Sequence, residues 1–127
     1  MSETAWEAVW STYRIIRRIY PSATKPTAPS LVPLVDLPAV RSLRSKEGSQ
    51  CKSEFTVAAS KGNRNIQAAL LQVAGAVKKQ ECVRCRGNRG LWDACVAKGG
   101  EGPCANCIFN GQANRCRGEN NHLSEDL

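Results

Sequence analysis

Six of the seven cysteines lie between positions 82 and 116, in the order Cys82-x2-Cys85-x9-Cys95-x8-Cys104-x2-Cys107-x8-Cys116. The order is an internal duplication, each half being a Cys-x2-Cys pair followed by a lone cysteine. Cys82 and Cys85 recur as Cys104 and Cys107 at an offset of 22, and Cys95 recurs as Cys116 at 21. Between these cysteines the only sizeable apolar side chains are Val83, Leu91, Trp92, Val96, Ile108 and Phe109. So thin an apolar complement does not offset the entropy of ordering the segment. The segment therefore needs a cross-link, and the cysteines are the residues that can supply it.

Two residues between cysteines let both sulfurs turn onto one tetrahedral metal at about 2.3 Å, and two such pairs in one short chain point to zinc. Six thiolates, Cys82, Cys85, Cys95, Cys104, Cys107 and Cys116, do not divide into two separate four-cysteine sites. They do satisfy two zinc ions when two sulfurs are shared, which leaves a cluster of net charge −2. Arg84, Arg86, Arg89, Arg115 and Arg117 stand within four residues of a cysteine and can offset that charge. Three other readings are a single zinc on Cys82, Cys85, Cys104 and Cys107, a disulfide scaffold, and a Cys-x2-Cys redox site. The seventh cysteine, Cys51, and the lone histidine, His122, are read as a free thiol and a solvated imidazole. On the zinc reading, residues 82–116 fold only when metal is bound.

The remainder of the chain reads as helix, linker and helix. Residues 1–20 form an amphipathic helix, with Trp6, Val9, Trp10, Tyr13, Ile16 and Tyr20 at three- and four-residue steps. Thr4 and Glu7 fit a capping box at its start, and Pro21 stops it. Residues 21–60 read as a flexible linker because Pro21, Pro26, Pro29, Pro33 and Pro38 break regular structure. Within it, the apolar run Leu31–Val40 could clip onto another surface or dock a partner. A short strand is allowed at Phe55–Val57. Residues 61–117 join a helix over 64–77, bearing Ile66, Ala69, Leu70, Val73 and Val77, to the cysteine module. Its apolar face is expected to meet Trp92 and Phe109, and residues 118–127 read as a disordered tail. The expected fold class is thus small, metal-stabilised, mostly α and irregular.

Charge and composition bound the function. The chain has 127 residues and a net charge of +7, and residues 61–90 alone hold seven basic groups against one acidic. A local positive field of that kind attracts polyanions, nucleic acid first. Lys61, Arg64, Lys78, Lys79, Arg84, Arg86 and Arg89 are the candidate phosphate contacts. A single histidine argues against serine–histidine or cysteine–histidine catalysis, so a binder rather than an enzyme is expected. No apolar run approaches the length of a membrane span. Arg14, Arg17 and Arg18 interrupt the apolar stretch that a secretory signal would need, which points to an intracellular protein.

The cysteine order resembles the binuclear zinc cluster of fungal transcription factors, and Pro103-Cys104-Ala105-Asn106-Cys107 with Asn114-Arg115-Cys116 is similar to its second half. It also resembles a fungal cysteine-rich domain family of unknown function. Members of that family place a helix like Ile66–Gly75 before Cys82-Val83-Arg84-Cys85, then a glycine-rich turn, an aromatic and Cys95-Val96. The resemblance spans about residues 62–117. It implies two zinc ions, Cys82 and Cys104 as the shared ligands, and a nuclear, DNA-associated transcriptional regulator. The transcription-factor pattern has six residues between its second and third cysteines, on a basic helix whose lysine reads DNA. Here residues 86–94 intervene, lack lysine and include Gly87 and Gly90, and no dimerising heptad repeat follows Cys116. The alternative is a zinc-stabilised module that binds a protein partner through the N-terminal helix and Leu31–Val40, with no DNA and no catalysis. A third is a disulfide-bonded protein exported without a standard signal.

Overall fold

The strongest helical periodicity forms the centre of the molecule. The computed structural model describes residues 3–43, 63–87, 92–111 and 113–116, and these build a small, mostly helical chain with irregular connections. Its elements in order are α1 (Ala5–Thr12), α2 (Arg14–Ile19), α3 (Val32–Val35), α4 (Arg64–Ala74), β1 (Ala76–Val77), α5 (Val83–Arg86), β2 (Val96–Ala97) and α6 (Ala105–Ile108). Single 3-10 turns follow α2, β2 and α6, and one more leads into Cys116. Cys51, Phe55–Val57, Lys61, Arg89, Arg117 and His122 lie outside the described residues, as does the acidic tail.

Helix α4 is buried nearly all round: Ile66, Ala69, Leu70 and Val73 share the interior with Asn65, Ala68, Leu71 and Gln72. Such a helix must be covered on both sides. Helices α1 and α3 pack on it from the N-terminal half, and α6 with its 3-10 extension packs from the cysteine half. Trp6, Val9, Tyr13, Ile16, Leu31, Leu34, Trp92 and Phe109 thus belong to one core. Trp92 and Phe109 meet edge to face, their ring centroids 5.4 Å apart. The indole Nε1 of Trp92 donates to the Tyr13 hydroxyl at 3.0 Å, tying the first helices to the cysteine segment.

The N-terminal stretch keeps its apolar stripe but is two helices rather than one. Thr4 and Glu7 close the capping box, with Thr4 Oγ1 accepting from the Glu7 amide at 3.1 Å. At the other end the Ser11 and Thr12 hydroxyls both donate back to the Ala8 carbonyl, a competition that bends helices. Tyr13 is extended (φ −109°, ψ 116°), and the Arg17 guanidinium takes the freed carbonyls of Trp10 and Ser11. The apolar face of α1 is turned inward onto the core, which leaves Glu3, Glu7 and Ser11 outside.

Residues 21–43, expected to be flexible linker, are instead packed. Proline sits where its missing amide costs nothing: Pro21 and Pro33 open short helices, and Pro38 bridges Thr4. Leu31, Leu34 and Val35 follow helical spacing and are buried. The segment is pinned by backbone bonds from Ala5 to the Leu37 carbonyl (2.7 Å), Ala39 to Glu3 (2.8 Å) and Val40 to Val73 (3.0 Å). Arg41 adds a bond to the Gln72 carbonyl at 2.7 Å.

The second difference is at the end of α4. The expected helix ran to Val77, but Gly75 ends it and Val77 is an exposed strand residue. β1 then pairs antiparallel with β2, Ala76 opposite Ala97 and Val77 opposite Val96. A Cβ on Gly75 would lie 2.7 Å from the Ala97 carbonyl and 2.8 Å from both the Leu71 carbonyl and Val96 Cγ1. Gly75 is required here by close approach rather than by its dihedrals. Gly75→Ala is expected to lower stability by about 1–3 kcal/mol, read as a reduced urea midpoint with unchanged slope.

Candidate metal centre

The duplication in sequence is a duplication in geometry. Cys82 and Cys104 stand in the same extended conformation at the N-terminal ends of α5 and α6, with ψ of 164° and 163°. Each following four-residue helix carries the second cysteine of its pair, Cys85 or Cys107, inward. The lone cysteine of each half returns to its own start. The Cys82 amide donates to Cys95 Sγ at 3.4 Å, and the Cys104 amide donates to Cys116 Sγ at 3.1 Å. Strand pairing delivers Cys95, since Lys78 N bonds the Cys95 carbonyl at 2.9 Å just beyond the β1–β2 ladder.

All six cysteines are free thiols, and five of them are buried. Their sulfurs form two groups, Cys82–Cys85–Cys95–Cys104 and Cys82–Cys104–Cys107–Cys116, in which the ligand atoms lie within 4.8 Å of one another. Cys82 and Cys104 belong to both groups. Cys85 stands with Cys95 and Cys107 with Cys116, rather than with each other as a single zinc on the two pairs would require. The Sγ separations Cys82–Cys104, Cys82–Cys107 and Cys85–Cys104 are each 3.8 Å. A disulfide is about 2.05 Å long, so these are not bonds in waiting. The edge of a sulfur tetrahedron around a metal at about 2.3 Å is about 3.8 Å. The donor set fits a thiophilic ion.

Electrostatics point the same way. Cys95 is driven down to about 2, first by the Cys104 thiol and then by Cys85. Cys116 is also held down to about 2, first by Cys104 and Cys107, with the Lys78 ammonium adding. Cys104 between them is pushed far upward, by Cys107 first and then Cys116. For Cys85 the Cys104 contact lowers, but Cys95 and burial outweigh it and raise the thiol to about 12. So crowded a set cannot become six thiolates unless positive charge enters among them.

The first group is held by further side chains that sequence reasoning did not single out. Asn106, 4% exposed, accepts from Trp92 N at 2.8 Å and donates to the Trp92 and Ala94 carbonyls at 3.0 and 3.2 Å. Its Nδ2 also lies 3.5 Å from Cys85 Sγ. Gln72 of α4 reaches the Ala94 carbonyl at 3.3 Å. The only sequence signal for Asn106 is its place inside a Cys-x2-Cys pair.

The candidate phosphate contacts are not one patch of equals. Arg64, Lys79 and Arg86 are exposed, whereas Lys78 and Arg84 are half-buried. Lys78 Nζ donates to the Gly102 carbonyl at 2.9 Å and lies 3.8 Å from Cys116 Sγ. Arg64 packs along Gly111, beside the second half of the centre. Lys61 and Arg89 are outside the described residues.

A cysteine cluster of this construction makes the chain a cysteine-rich protein compatible with metal binding. Residues 68–118, less than half of the chain but including all six clustered cysteines, match the family model described as "Protein of unknown function (DUF3716)". No curated protein and no solved structure matches the chain. Among the described residues, no helix is long and apolar enough to cross a membrane.

Proposed function

We propose that the chain is a non-catalytic zinc protein in which Cys82, Cys85, Cys95, Cys104, Cys107 and Cys116 hold two zinc ions, Cys82 and Cys104 being shared. The observation that carries this reading is the pair of four-sulfur groups with two members in common and 3.8 Å edges. Zinc bound there supplies a redox-inert cross-link between the two halves.

On that scaffold the reading is a nuclear, DNA-associated regulator of transcription. Its support is the three exposed cations Arg64, Lys79 and Arg86, and the resemblance to the binuclear zinc cluster. Helix α5 spans only Val83–Arg86 and ends at Gly87, too short to read a major groove as an inserted helix does. Phosphate contact is therefore the mode of binding on this reading, without base reading by an inserted helix. Binding to duplex DNA is expected to fall with salt, with a log–log slope of about −0.9 per phosphate contacted. Replacing Arg64, Lys79 and Arg86 together by Ser should weaken binding and flatten that slope by two to three contacts. The exposed apolar side chains Val32, Leu37 and Val40 favour the alternative, a protein-docking module. Absence of DNA binding at ~50 mM salt decides for it.

A further inference from the structure

We infer that the two metal sites are unequal: the Cys82–Cys85–Cys95–Cys104 site holds its zinc the longer, and the Cys82–Cys104–Cys107–Cys116 site exchanges its zinc with the surrounding supply. The inference rests on the two-zinc reading above and deepens it. The two halves supply the same ligands in the same backbone arrangement, so any difference between the sites comes from what surrounds them.

What surrounds them differs at three places. The sulfurs of the first group are all buried, whereas Cys116 in the second is partly exposed. Asn106, on α6, locks the first site by bonding the Trp92–Ala94 loop that leads to Cys95 and by touching Cys85 Sγ. That loop is fixed in turn to the main core through Trp92, which is fully buried and bonded to Tyr13. The duplication puts Arg84 where the second site would need its own Asn106. Arg84 does no such work: its Nε is buried with no hydrogen-bond partner among the described residues.

The second site is closed by Lys78 instead. Its ammonium lies 3.8 Å from Cys116 Sγ and is tethered to the Gly102 carbonyl. A flexible lysine is a weaker closure than a fully bonded asparagine. Lys78 also lines an open cavity of about 410 Å³, together with Lys79, Gln80, Gly99 and Gly100. A competing ligand for zinc therefore has access at the side chain that covers Cys116.

The test is native mass spectrometry of the full reduced chain, loaded with zinc and sampled over time in excess EDTA, with near-ultraviolet circular dichroism in parallel. A one-zinc species is expected to accumulate, with the tertiary signal retained until the second zinc leaves. Lys78→Met should speed the first loss about tenfold and leave the second unchanged, since outer contacts of a metal site are worth 10–100-fold in affinity. Cys116→Ser should hold one zinc and keep the tertiary signal. Loss of both zincs in a single step, or a Lys78→Met chain that releases its first zinc at the original rate, overturns the inequality alone. A reduced wild-type chain that takes up no zinc overturns the two-zinc reading as well.

Discussion

Complete removal of metal from the reduced protein is expected to unfold the whole described chain, not the cysteine segment alone. Structural zinc in small thiolate sites contributes an apparent free energy of about 10–16 kcal/mol at neutral pH. Entire domains are stable by only about 5–15 kcal/mol, so no reserve survives its loss. The reason the effect spreads is geometric. Trp92, Ala105 and Phe109 belong to the same core as α1, α3 and α4, yet they sit on the segments that carry Cys95, Cys104 and Cys107. Without metal, the buried sulfurs repel as thiolates or remain poorly solvated as thiols, and α6 loses the contact that holds it. The core then loses Trp92 and Phe109, and α4 is uncovered on one side. Tryptophan emission should shift to the red, because Trp6 and Trp92 are both buried in the native chain. Acid should act as the chelator does, since the ligands bind only when deprotonated. An apo-protein with native emission and native melting temperature would contradict this account.

The same coupling explains what could and could not be read from the sequence. Cysteine spacing exposes the duplication because the Cys-x2-Cys pair is local: two residues of α5 or α6 suffice to turn both sulfurs inward. The apolar period of α4 is legible for the same reason, up to Gly75. Val77 fits the helical period on paper, but the approach of the Ala97 backbone to Gly75 is a tertiary fact, and it turns the chain into a strand. Proline content misleads over residues 21–43. Five prolines look like disorder until the partner surface is known, yet Pro21 and Pro33 occupy helix starts and Leu31, Leu34 and Val35 find the core. Nothing in composition pairs Tyr13 with Trp92 across 79 residues, or directs Asn106 to a loop 12 to 14 residues earlier. Such side chains acquire a role only after the backbone has brought their partners within reach.

Replacing one shared sulfur is expected to cost both metal ions, and replacing one terminal sulfur only one. Cys104 is fully buried and belongs to both four-sulfur groups, whereas Cys116 belongs to one. Serine keeps the size of the side chain but offers zinc a poor donor, so Cys104→Ser leaves each ion with three good ligands and neither site closed. On the two-zinc reading, zinc content should fall from two per chain to near zero, and the chain should be unfolded at 25 °C, the outcome also expected on chelation. Cys116→Ser removes a ligand from the second site alone, and content should fall to one. The contrast also separates the shared arrangement from a single zinc on Cys82, Cys85, Cys104 and Cys107. In that case the wild-type chain holds one zinc, and Cys95→Ser and Cys116→Ser both keep it. A Cys104→Ser chain that retains metal and native circular dichroism would show that this sulfur is not shared. The measurement needs only purified protein, reductant and elemental analysis, and it reads the ligand topology directly from the count.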